Sequence, residues 1–152
     1  MISKPGSQPI NILLVEDNEG DVVLIKEAFS EHIVDYNLQV AGDGERALQY
    51  LFRNGEFKDA TPPDIIFLDL NIPRKAGLAV LKEIKASMAL KSIPVIALTS
   101  SSNEDDIQAA YELHANCYIV KPVDYIEFVE LIGSLVQFWF HVVRMPVTKY
   151  RT

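Results

Sequence analysis

Four short apolar runs each end on a residue with chemistry to offer, and this recurrence restricts the possible fold more than any other feature of the chain. Ile65-Ile66-Phe67-Leu68 runs without alternation into Asp69, ahead of the turn-like Leu70-Asn71-Ile72-Pro73. Ile12-Leu13-Leu14-Val15 ends on Glu16-Asp17, Val95-Ile96-Ala97-Leu98 on Thr99, and Tyr118-Ile119-Val120 on Lys121. An apolar run that does not alternate suits a strand covered on both faces. Longer segments of helical spacing separate the runs, which is the pattern of repeated β-α units around a parallel sheet. Right-handed crossovers bring the carboxyl ends of such strands to one edge. Glu16, Asp17, Asp69, Thr99 and Lys121 are therefore expected as neighbours.

Helices are expected over residues 21–29, 44–53 and Gly77–Ala86, with Ile25, Leu48 and Leu81 among their inward positions. Two more should run from Ser102-Asn103-Glu104-Asp105 to about residue 114, and from the capping-box-like Asp124-Tyr125-Ile126-Glu127 to about residue 143. A weak strand fits residues 38–41, and Cys117–Val120 fits the last one. In the final helix Phe128, Leu131, Leu135 and Trp139 cover one side. Val129, Ile132, Val136, Phe140 and Val143 extend the apolar surface beyond a single inward stripe. That excess predicts a homodimer interface through the last helix, extended by residues 145–152.

At 152 residues the chain suits one domain over residues 10–143, after a flexible lead-in at 1–9 and before an extension at 144–152. Hydrophobic residues at 49% and charged residues at 23% set it apart from disordered chains. The net charge of −7 argues against nucleic acid as a partner, because that affinity rests on Lys and Arg neutralising phosphates. The single Cys117 leaves no internal disulfide, which suits a reducing compartment and predicts a cytoplasmic protein. The apolar stretch over 131–143 falls short of the roughly 20 residues that span a bilayer. No membrane segment is expected.

Three carboxylates at one edge repel one another unless a cation sits among them, and hard oxygen ligands suit Mg²⁺. Glu16, Asp17 and Asp69 are the candidate ligands, with the Asn71 backbone carbonyl completing the shell. A hydroxyl and an ammonium beside that metal are the parts that stabilise a transferring phosphoryl group. Asp69 would receive it, Lys121 would pair with its oxygens and Thr99 would donate a hydrogen bond to one of them. His32, His114 and His141 show no metal-ligand spacing.

With these motifs assembled, the chain resembles a response-regulator receiver domain of two-component signalling. The matching segments are Val15-Glu16-Asp17-Asn18, Phe67-Leu68-Asp69-Leu70-Asn71-Ile72-Pro73 with Gly77, Ala97-Leu98-Thr99-Ser100 and Val120-Lys121-Pro122, in family order. The resemblance implies a doubly wound, five-stranded parallel sheet of flavodoxin-like topology. It also implies Mg²⁺-dependent phosphotransfer to Asp69 from a sensor histidine kinase, and a usually cis Lys121–Pro122 bond. Tyr118 matches the aromatic switch position coupled to the hydroxyl residue Thr99. Asn71 and Ser101 match positions that tune the lifetime of the acyl phosphate. The long connection between Phe52 and Asp64, with the segment from Val15 to Asp21, is similar to single-domain regulators paired with bacterial phytochrome kinases.

Such a protein is not an enzyme with a separate substrate; it assists its own phosphorylation and dephosphorylation. Two other functions stay open on the sequence. An aspartyl-phosphate phosphohydrolase of the haloacid-dehalogenase type usually has a second Asp where Asn71 stands. A receiver-like interaction module would bind partners without being phosphorylated.

Overall fold

Five strands, Ile10–Val15 (β1), Tyr36–Ala41 (β2), Ile65–Leu68 (β3), Val95–Thr99 (β4) and Cys117–Val120 (β5), form one parallel sheet of order β2-β1-β3-β4-β5. This is the order of a flavodoxin-like doubly wound sheet. The computed structural model describes residues 9–33 and 35–146, so most of the expected lead-in and the end of the expected extension lie outside the described residues. Helices α1 (Glu19–His32) and α5 (Tyr125–Gln137) cover one face, and α2 (Gly44–Leu51), α3 (Gly77–Ala86) and α4 (Glu104–Glu112) cover the other.

Strand alternation divides the core between these faces. Leu13, Val15, Ile66, Leu68, Val95 and Ala97 face α2, α3 and α4, whereas Ile12, Leu14, Ile65, Phe67, Ile96 and Leu98 face α1 and α5. Both sides of β1, β3 and β4 are therefore apolar, which explains their unalternated sequences. The outer strand β2 is half-exposed along most of its length, and its sequence signal is correspondingly weak.

Helix starts follow side-chain caps. Asn18, Asp43, Asn103 and Asp124 accept hydrogen bonds from the backbone amides of Asp21, Arg46, Asp105 and Glu127 at 2.7–3.0 Å. Helix α1 runs three residues past its expected end at Phe29, whereas α2 and α4 stop short of theirs for one shared reason. Arg53 and His114, expected inside α2 and α4, adopt left-handed φ of 58° and 71° and stop them. Paired amides then close the ends: Arg53 N–H to Tyr50 O and Asn54 N–H to Gln49 O, His114 N–H to Tyr111 O and Ala115 N–H to Ala110 O. This is the Schellman closure usually made by glycine.

The last helix corrects a phase assignment. Phe128, Ile132, Leu135, Val136, Trp139 and Phe140 are buried, so Ile132, Val136 and Phe140 belong to the core and not to an outward excess. Apolar residues occupy so many positions there that spacing alone does not select the inward stripe. A single π turn over Phe138–Val142, closed by Val143 N–H to Phe138 O, carries the element on to its expected end. Tyr125, Ile126, Phe138 and Val142 remain exposed. A second correction concerns Lys121–Pro122, which is trans like every described peptide bond. The two isomers before proline differ by only about 0.5–1 kcal/mol, so the sequence around the bond does not dictate one of them.

A non-glycine residue in the left-handed region costs about 1 kcal/mol. His114 is exposed, and its side chain makes no hydrogen bond, ion pair or ring contact among the described residues. His114→Gly should raise Tm by about 2–4 °C; a thermal melt showing an unchanged or lower Tm would refute this account of the α4 terminus.

Candidate functional site

The loops at the carboxyl edge of the sheet are tied to it by backbone bonds continuing the strand pairing. Glu16 N–H donates to Ala41 O, Asp69 N–H to Val15 O and Lys121 N–H to Thr99 O, at 2.8–3.0 Å. The loop after Asp69 is held from two further sides. Gly44 and Glu45, at the start of α2, donate their amides to the Pro73 and Arg74 carbonyls at 3.1 and 3.0 Å. Gly77, opening α3, lies so close to the loop that a Cβ would sit 2.5 Å from Leu70 Cα and 2.7 Å from Asp69 O. The glycine of the sequence motif thus permits the close approach that fixes the backbone at Asp69.

Glu16, Asp69 and Lys121 are nearly inaccessible to solvent. The Lys121 ammonium donates to Glu16 Oε1, to Asp69 Oδ2 at 2.9 Å and to Asp21 Oδ2 at 2.8 Å. The exposed Asp17 completes a cluster in which Glu16, Asp17 and Asp69 each offer one oxygen, all within 4.8 Å of one another. An all-oxygen set at this spacing fits a hard divalent cation. The free oxygens are also directed: Asn18 N–H donates to Glu16 Oε2 at 3.2 Å and Asn71 N–H to Asp69 Oδ1 at 2.9 Å.

The two buried carboxyls titrate in opposite directions. Burial pushes Glu16 up to about 7; hydrogen bonding to Lys121 opposes this and the Asp69 charge adds to it. Burial acts on Asp69 too, but the Asn71 amide and the Lys121 ammonium outweigh it and hold that carboxyl below its ordinary value. Burial alone would lower Lys121; its bonds to Asp21, Glu16 and Asp69 reverse this and keep the ammonium charged. The Asn71 amide and the Lys121 ammonium thus favour the ionised form of Asp69.

Thr99 Oγ1 is completely buried at the end of β4 and has no hydrogen-bond partner among the described residues. An unpaired buried hydroxyl carries a cost of about 1–3 kcal/mol and is a donor available to an incoming oxyanion. Tyr118 does not enter the cluster. Its hydroxyl donates to the Ser101 carbonyl at 2.8 Å, and its amide donates to the Tyr111 hydroxyl at 3.2 Å. Ser101 Oγ in turn donates to Asp106 Oδ2 at 2.6 Å. The expected residues are therefore gathered as Glu16, Asp17, Asp69 and Lys121, with Asn71 joined through its amide, Thr99 on the neighbouring strand and Tyr118 one loop away.

Asp21, expected only at the start of a helix and in the Val15–Asp21 segment and not among the site residues, also joins the cluster. The available signal was the Asn18-x-x-Asp21 cap spacing, which fixes Asp21 in the first turn directly after the acidic pair. Its partner lies 100 residues away, so sequence alone does not expose the contact.

Residues 12–133 match the response regulator receiver domain. The response regulator Rcp1 of Synechocystis sp. is 40% identical over 145 residues, covering 95% of this chain and 99% of that protein. The Mn²⁺-bound form of Rcp1 superposes with a TM-score of 0.89 at 41% identity, over 91% of this chain and all of that one. The phosphorylated cyanobacterial phytochrome response regulator RcpA superposes with a TM-score of 0.90 at 41% identity, over 92% and 100%.

The raised Glu16 carboxyl makes the metal-free protein sensitive to pH. From about 4.5 to about 7 the folded protein binds more protons at Glu16 than the unfolded chain does, so stability falls as pH rises through that interval and the loss levels off above it. Urea unfolding in the presence of a chelator should show this decline, and Glu16→Gln should flatten it. A variant that retains the wild-type slope would refute the assignment to Glu16.

Proposed function

The chain belongs to the response regulator receiver domain family, and from that premise we propose that Asp69 is its phosphoacceptor, charged by the phosphohistidine of a sensor histidine kinase. A carboxylate oxygen of Asp69 attacks phosphorus, the phosphorus–nitrogen bond of the phosphohistidine breaks, and its electron pair returns to the imidazole ring. The supporting observation is the Lys121 ammonium, carried by β5 to within 2.9 Å of the Asp69 oxygen that accepts from it. From there it can follow negative charge from carboxylate to phosphoryl oxygen. Thr99 supplies its unpaired hydroxyl to another phosphoryl oxygen. Glu16, Asp17, Asp69 and the Asn71 backbone carbonyl would hold Mg²⁺, which when bound supplies positive charge opposite the phosphoryl oxygens.

Tyr118 serves as the switch. Its bond to the Ser101 carbonyl ties β5 to the loop following Thr99, so a Thr99 hydroxyl drawn toward a phosphoryl group displaces the tyrosine's acceptor. The protein assists its own phosphorylation and dephosphorylation and carries the signal as one receiver unit over residues 10–143. Likeness to RcpA over nearly the full length favours a phytochrome as the kinase. We assign it to the cytoplasm, in keeping with the unpaired Cys117.

Incubation with Mg²⁺ and acetyl phosphate should give a base-labile adduct on Asp69, absent from Asp69→Asn and much reduced in Lys121→Ala. Peptide mapping that finds the label on another residue would overturn the assignment. We also propose that two copies pair through the last helix. Exposed Ile126, Phe138 and Val142 support this, replacing the core residues first expected to form the interface. Sedimentation equilibrium should show a dimer that Phe138→Glu dissociates; monomer alone at high concentration, phosphorylated or not, would refute the pairing.

A further inference from the structure

An ammonium has three N–H donors, and those of Lys121 meet three carboxylates, Glu16, Asp69 and Asp21. Two of these partners have other work in the proposed reaction. Glu16 and Asp69 belong to the cluster whose oxygens converge on a cation site, and Asp69 is the nucleophile. Asp21 belongs to neither. It stands in the first turn of α1, where Asn18 Oδ1 accepts its amide at 2.9 Å, and its side chain is three-quarters buried beside Lys121.

An acidic residue in the first turn of a helix is ordinarily explained by the helix dipole. That explanation accounts for the residue type at position 21 but not for a 2.8 Å bond to an ammonium on the far side of the sheet edge. The geometry points to Asp21 as the positioning residue for Lys121, the anchor that keeps hold of the ammonium when Glu16 and Asp69 engage a cation and a phosphoryl group. Held only by Glu16 and Asp69, the ammonium would compete with a cation for the same oxygens. Asp21 draws it to one side and adds a negative charge outside the ligand set. Both effects favour cation binding, and both weaken together when the charge at position 21 is removed.

The inference rests on the phosphoacceptor reading for its consequence in phosphorylation, while its consequence for cation binding can be measured independently. Calorimetric titration with Mn²⁺ should give a Kd raised about tenfold in Asp21→Asn and in Asp21→Ser, the loss of one charge-assisted hydrogen bond. Asp21→Glu, which restores the carboxylate, should recover at least half of the loss. The rate of adduct formation from acetyl phosphate at saturating Mg²⁺ should follow the same order. Circular dichroism should show all variants folded. Wild-type Mn²⁺ affinity in the neutral variants, or equal weakening in Asp21→Glu, would overturn the positioning role. A wild-type protein that forms no adduct would overturn the phosphoacceptor reading instead, with the Mn²⁺ titration still deciding the role of Asp21.

Discussion

One buried ammonium holds the functional edge of this molecule together. Lys121 is enclosed by carboxylates from the ends of β1 and β3 and from the first turn of α1. Without it the acids would be like charges gathered at low solvent access, and an unpaired buried charge costs far more than a surface one. The arrangement is balanced locally but still carries excess negative charge. Burial, with the Asp69 charge added, raises Glu16, while the Asn71 amide and the Lys121 ammonium hold Asp69 below its ordinary value. The same excess makes the cluster receptive to a cation, and a cation makes it receptive to a phosphoryl group.

The scaffold serves this edge by making its backbone rigid. β1, β3 and β4 are sealed on both faces, so their ends cannot shift without disturbing the core. The loop after Asp69 is clasped by the α2 amides at Gly44 and Glu45 and by the close approach of Gly77. Within it Arg74 and Lys75 both take positive φ, conformations that persist only where surrounding structure imposes them. On the other side of the site, Tyr118, Ser101 and Asp106 form a chain of hydrogen bonds from β5 to α4. The loop that follows Thr99 is thereby joined to both β5 and α4.

Legibility followed interaction range. The sheet was readable because apolar runs and the helical segments between them are local patterns, and β3, α3 and β5 have the bounds expected of them. Helix ends were less readable where histidine and arginine adopt the conformation usually left to glycine, since nothing local in Arg53 or His114 announces it. The last helix failed for the opposite reason: its abundance of apolar residues fitted several phases, and only contact with α1 and the sheet selected one.

The sequence by itself determined the type of fold and which residues gather at its edge. Burial on both faces leaves an unmistakable mark on a strand, and parallel crossovers oblige the residues following β1, β3, β4 and β5 to gather. Tertiary structure alone decided how those residues share charge. Asp21 became a third partner of Lys121, Thr99 was left with a hydroxyl unpaired among the described residues, and Glu16 and Asp69 were driven apart in acidity. Hydrogen bonds and burial depend on ångström-scale distances between groups as many as 105 residues apart, and no one-dimensional pattern encodes those distances.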